Sequence, residues 1–150
     1  MMPLSTQSLF ELYDVDETAW LDAMAELIVH GRFEELDYTH LSEFLSDMAC
    51  RERREVANRL AILIAHLLKW TYQPDKRTGS WRRSIVVQRQ ALQRLLESRV
   101  LRNFGEEVLS DAYSNGLEQV SAETDLDDGT FPAECPWTLD RLLSPDLLVD

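Results

Sequence analysis

Apolar residues recur along this chain at three- and four-residue intervals, and no stretch alternates in the manner of a half-buried strand. Residues 9–13 make a first helical turn. Trp20, Met24, Leu27 and Ile28 then fall at i, i+4, i+7 and i+8, one stripe of a helix over about residues 17–30. Asp16 is its expected N-cap, with Glu17 in the first turn, where the helix dipole favours an acid. Gly31 is its expected C-terminal stop.

Asp37 is placed to cap the next helix, whose stripe is Leu41, Phe44, Leu45 and Met48. The pattern resumes at Val56, Leu60, Leu63, Ile64 and Leu67. One helix from residue 38 to 72 would be about 52 Å long at ~1.5 Å per residue. A compact domain of this size has a radius of gyration of only about 15 Å. The expectation is therefore a break or bend near residues 49–51, or a long helix that protrudes into a dimer.

Residues 73–79 have turn composition. Ser80 is the expected cap of a third helix anchored by Trp81, Ile85, Leu92, Leu95 and Leu96. Ser98 caps a fourth, which carries Leu101, Phe104, Val108, Ala112 and Val120. Gly105 and Gly116 inside it point to close helix packing, each at about 1 kcal/mol of intrinsic helix stability. Residues 125–129 end the pattern. Phe131, Pro132, Cys135, Pro136 and Trp137 read as an extended strap pinned by aromatics, and Thr138 caps a last short helix through Leu143. The predicted fold is all-α, an antiparallel helical bundle of about four main helices with a C-terminal strap and helix.

A length of 150 residues suits one domain, with its core over about residues 9–143. Hydrophobic residues make up 45% of the chain and charged residues 28%, a balance that argues against global disorder. Cys50 and Cys135 make no disulfide framework; as small buried thiols they fit a reducing, cytoplasmic setting. No apolar run reaches the roughly 18–20 residues of a membrane span. Residues 1–5 lack the basic flank and apolar stretch of a leader.

Charge is segregated. Residues 51–102 hold 13 Lys/Arg against 4 Asp/Glu, whereas residues 1–50 hold 1 against 11 and residues 103–150 hold 1 against 12. A total of −12 opposes nucleic-acid binding overall. Arg82, Arg83, Arg89, Arg94, Arg99 and Arg102 can form a phosphate-binding stripe or a docking face for an acidic partner. The plainer expectation is internal neutralisation, with Glu106, Glu107 and Asp111 at about the level of Arg89 in an antiparallel pair.

Antiparallel pairing across residues 73–79 sets Lys69 near Arg82 and Arg83, and His66 near Ile85, Val86 and Arg89. A histidine among cations resists protonation, which suits a neutral base or acceptor. The candidate ligand or partner site is therefore His66, Lys69, Tyr72, Ser80, Trp81, Arg82 and Arg89. A lone histidine beside an apolar helix is ordinarily a satisfied core residue, and a lysine there ordinarily lays its stem on the core. Trp70, Tyr72, Trp81, Phe131 and Trp137 can line a pocket but more often close a core. Glu43 and Asp47 share a helical face, and His40 precedes Glu43 by three in the reverse of the usual di-metal order, so no metal site is expected. No cysteine-pair zinc motif, P-loop, dinucleotide fingerprint or nucleophile elbow is present, and no cofactor is implied.

Certain residues in order resemble a known family. They are Leu12, Tyr13, Asp14 and Asp16 with Trp20; Arg32, Phe33, Leu36 and Asp37; and His66, Leu67, Leu68, Lys69 and Trp70. Gln73 and Pro74, Ser80 and Trp81 with Arg89, Tyr113, Glu123 and Thr124 follow, then Phe131, Pro132, Cys135, Pro136 and Trp137. Their order is similar to that of the bacterial family catalogued as domain of unknown function twenty-nine, common in cyanobacteria and proteobacteria. The resemblance spans about residues 9–143. It implies a small all-helical domain and no assigned activity. The family pattern has two adjacent acids where this chain has Glu43 and Phe44, so no carboxylate pair carries over.

The leading functional expectation is a cytoplasmic helical module for protein interaction or regulation, with a protein partner or a second copy of the chain. The alternative is a small anionic-ligand-binding or enzymatic bundle using the hairpin over residues 66–89. A third expectation, direct nucleic-acid binding through Arg82 and Arg83, runs against the overall charge.

Overall fold

A computed structural model describes residues 6–148, and every described element is helical. Residues 1–5, which carry the expectation of no leader, lie outside the described residues. Six α-helices follow in order: α1 (Thr6–Val15), α2 (Glu17–Val29), α3 (Tyr38–Tyr72), α4 (Gly79–Leu95), α5 (Arg99–Glu123) and α6 (Leu139–Leu143). The fold is all-α. No described helix is long and apolar enough to cross a membrane.

α3 runs unbroken through residues 49–51, where a break was one expectation. The local sequence there, Met48, Ala49, Cys50, Arg51 and Glu52, contains neither glycine nor proline and so gives the helix no reason to stop. Contacts nevertheless divide the chain into two compact units, with the boundary between Cys50 and Arg51 inside that helix.

In the first unit, the Asp16 side chain accepts the Ala19 N–H at 3.1 Å and starts α2 one residue after α1 ends. α2 stops at Gly31, whose φ is 69°. The Arg32 N–H reaches back to the Leu27 carbonyl and the Gly31 N–H to Ile28, the paired bonds of a Schellman end. Leu9, Trp20, Met24 and Leu36 form the core. Ile28, Leu45 and Met48, expected in the apolar stripes, are exposed instead.

The second unit is an up-down-up bundle closed by α6. Arg59 meets Gln88, and Lys69 lies against Trp81, so α4 runs antiparallel to α3. Lys69 also meets Glu123, and Gly116 packs on Ala61 and Ile64, so α5 runs parallel to α3. Val56, Leu60, Leu63, Ile64 and Leu67 of α3 are all buried, joined by Ile85 and Leu92 of α4, Leu101 and Val120 of α5, and Leu139 and Leu142 of α6.

Gly116 makes the α3–α5 approach possible: a Cβ there would sit 3.0 Å from Ile64 Cγ2 and 3.1 Å from the Ala61 carbonyl. Thr78, not Ser80, caps α4, its hydroxyl accepting the Trp81 N–H at 3.2 Å. Gly79 continues the helix after the cap, which moves Ser80 into the first turn. Ser98 and Thr138 cap α5 and α6 as expected. The strap is held where Phe131 meets Tyr72 edge-on at 5.2 Å and the Tyr113 hydroxyl donates to the Pro132 carbonyl. Cys50 is exposed and Cys135 only half-buried, so neither is the enclosed thiol expected.

Candidate functional site

The hairpin between α3 and α4 brings together some of the predicted residues. Lys69 lies in the last turn of α3 and is buried. Its ammonium pairs with the Glu123 carboxylate from the last turn of α5 and sits 5.5 Å from the centre of the Trp81 ring. The carboxylate attracts the ammonium by charge and the indole attracts it through the negative face of its ring. Beside it, Arg77 donates Nε–H to the Trp70 carbonyl and stacks its guanidinium 4.8 Å over the Trp70 ring. The Trp70 indole N–H is buried without a protein partner.

His66 and Tyr72 belong to other surroundings. His66 Nδ1 lies 2.9 Å from the Ile62 carbonyl one turn earlier in its own helix. A carbonyl only accepts, so Nδ1 is the donor in this contact. Tyr72 packs on Phe131 of the strap. Ser80 and Arg82 are exposed on the first turn of α4.

Arg89 departs most from expectation. It was placed opposite Glu106, Glu107 and Asp111. Instead it is 3% exposed and donates Nε–H to the main-chain oxygen of Leu142 in α6 at 3.0 Å. Four residues on, Gln93 donates to the Leu143 carbonyl at 2.8 Å. α6 is only five residues long, so its terminal carbonyls have no intrahelical partners, and α4 supplies them from the side. Burial lowers the Arg89 pKa from its ordinary value, and the charge of Arg141 adds to the effect. Its Nη2 is buried without a protein partner.

Arg89 is turned inward, and among the described residues Glu106, Glu107 and Asp111 of α5 form no ion pair with the basic block; its one ion pair with α5 is Lys69–Glu123. Arg102 pairs with Asp140 of α6. Arg83, Val87, Gln90 and Arg94 occupy α4 at i, i+4, i+7 and i+11, one outer face, and all four are exposed. Val86 is 37% and Val87 48% exposed. Among the described residues, Arg82, Arg83, Arg94 and Arg99 have no carboxylate within ion-pair distance.

Two further constellations escaped the sequence reading. Arg51, Arg54, Asn58, Arg59 and Ile62 of α3, with Gln88 of α4, line an open cleft of about 630 Å³. Arg59 donates Nε–H to Glu55 at 2.9 Å and Nη1–H to Gln88 at 3.0 Å. Neither His66 nor Arg89 lines this cleft. The signal for it in the sequence is the spacing 51, 54, 58 and 59, which falls on one side of a helix.

The second lies at the start of α3. Asp37 Oδ2 accepts from the Trp20 indole at 3.1 Å and from His40 Nδ1 at 2.7 Å, while Oδ1 accepts the His40 backbone N–H at 3.3 Å. His40 is buried and stacks on Tyr13, with ring centres 4.2 Å apart. Burial alone would raise the Asp37 carboxyl, but the bonds from His40 and Trp20 outweigh it and hold the group below its ordinary value. With His40 so engaged, no group of three or more metal-ligating side chains gathers among the described residues.

The family model for Domain of unknown function DUF29 matches residues 12–148. The chain belongs to that family. No curated protein and no solved structure matches it.

Proposed function

We propose that this family member is a protein-interaction module that docks an acidic partner segment on the outer face of α4. The observation that supports this reading most strongly is the exposed row Arg83, Val87, Gln90 and Arg94. A row of cations alone would be a solvated helix face. Here two partly exposed valines lie between the arginines, so the face offers both an apolar contact and charge at its ends. Protein interfaces combine an apolar centre with arginine in this way. Ser80 and Arg82, on the first turn of the same helix, are exposed as well. The overall charge of −12 disfavours nucleic acid as the acidic partner, and the valines favour a polypeptide.

The experiment is site-specific photo-crosslinking in the source cell, with the photoreactive side chain at position 87 and, as control, at Ser114 on α5. The expected result is a discrete adduct with another protein from position 87 only, lost in R83E/R94E. Adducts equal to the control, adducts indifferent to charge reversal, or adducts only with nucleic acid or a second copy of the chain would contradict the proposal.

A further inference from the structure

We infer that the cleft on α3 is a binding site for a small phosphomonoester, separate from the α4 face. Arg51, Arg54, Asn58 and Arg59 present one side of the helix, and Gln88 faces them from α4. The volume of about 630 Å³ lies within the roughly 300–1,000 Å³ typical of small-molecule sites.

Charge selects the ligand class. The lining holds three arginines against Glu55, a formal +2. The Glu55 carboxylate already accepts from Arg59, so the acid serves to orient a guanidinium. Gln88 holds a second edge of the same group. Two of the five N–H donors of Arg59 are thereby used, and the group is fixed in the plane where the others can act. A phosphomonoester carries about −1.5 to −2 charges at neutral pH and three terminal oxygens. It therefore matches both the lining charge and the paired-donor geometry of guanidinium groups. Asn58 adds an amide donor. A phosphate group occupies only a part of this volume, and Ile62 provides an apolar surface for the organic remainder.

The site is open, so binding is modest and sensitive to salt. The test titrates the full chain with phenyl phosphate, inorganic phosphate and succinate at equal ionic strength. Arginine Nε–H and asparagine side-chain NMR signals are followed, with calorimetry alongside. Phenyl phosphate should saturate at roughly millimolar concentration or below and shift the signals of Arg51, Arg59 and Asn58. Inorganic phosphate should move the same signals, and succinate should bind at least about tenfold more weakly.

R51Q/R59Q should weaken phenyl phosphate at least about tenfold with an unchanged melting curve, while R83Q/R94Q should bind as the parent does. Parent signals alone decide the matter if the double variant melts early. Absence of saturation, shifts spread equally over Arg83 and Arg94, succinate binding as tightly as phenyl phosphate, or an undiminished R51Q/R59Q would overturn the site. None of these results bears on crosslinking from position 87, so the two proposals fail separately.

Discussion

Arg89 of α4 donates its Nε–H to the main-chain oxygen of Leu142, at the C-terminal end of α6. A buried cation is thus spent on a helix end that cannot satisfy itself, and the favourable direction of the α6 dipole reinforces the contact. Two effects oppose each other. Removing the side chain leaves a cavity and an unpaired carbonyl, but it also removes a desolvated charge whose Nη2 has no protein partner.

The first prediction separates them. R89A should lose about 2–4 kcal/mol in urea unfolding, because volume and hydrogen bond go together. R89M keeps the volume and removes the buried charge, and should lose less than about half as much. Equal losses would show that charge and hydrogen bond, not packing, dominate.

Gly105 and Gly116 lie in the same helix yet should respond oppositely to alanine. At Gly116 the new methyl meets the Ala61 backbone and the branched Ile64 side chain, neither of which yields easily. Overpacking of about 1–3 kcal/mol should exceed the gain of about 1 kcal/mol in helix propensity. At Gly105 the nearest atom is the far end of Leu139, at 3.3 Å, which can move. G105A should therefore stay within about 0.5 kcal/mol of the parent in thermal or urea melts.

The helix boundaries and most of the core were legible because caps and periodicity act locally: Asp16, Gly31, Asp37, Ser98 and Thr138 all behave as their residue types predict. The α4 cap is ambiguous in the sequence because two hydroxyl residues, Thr78 and Ser80, flank Gly79 and either can cap. The α3 stripe at residues 56–67 is buried as its periodicity predicts, yet Leu45 and Met48 continue it in sequence and are exposed. Periodicity identifies a face, not what covers it. The destination of Arg89 was illegible for a similar reason. Its partner is a backbone carbonyl 53 residues away, and backbone acceptors leave no mark in composition. The arginines of the α3 cleft were readable in spacing but not in depth.

Asp37 should make stability depend on pH. Its folded pKa lies below the unfolded value of about 3.9, so its contribution is present above that value and is lost as pH falls through the folded pKa. D37A leaves the Trp20 indole and His40 without their acceptor and should cost on the order of 1.5–3 kcal/mol at pH 7. The difference between parent and D37A should be constant from pH 7 to about 5 as far as Asp37 is concerned, and shrink below about pH 4. Urea melts across this range, followed by far-ultraviolet circular dichroism, provide the check. A gap that widens toward low pH would contradict the assigned network.

Lys69 and Glu123 join the last turns of α3 and α5. The side-chain exposures are unequal, 10% for the lysine and 44% for the acid, so solvent screens one partner. E123Q should therefore cost about 1–2 kcal/mol, short of the 3–5 kcal/mol expected for a fully enclosed pair. K69M retains the stem on the core and relieves the buried charge, so it should cost less than E123Q. Paired urea melts decide the order, and a larger loss in K69M would contradict it.

The central claim is that the arginines on the outside of α4 are held for a partner and not for the fold. R83Q/R94Q tests it most directly, with urea unfolding and crosslinking yield from position 87 measured on the same variant. The account predicts stability within about 0.5 kcal/mol of the parent, as for surface positions without partners, together with loss of the adduct. A stability loss well above 1 kcal/mol with the adduct retained would contradict it, because the arginines would then be serving the fold.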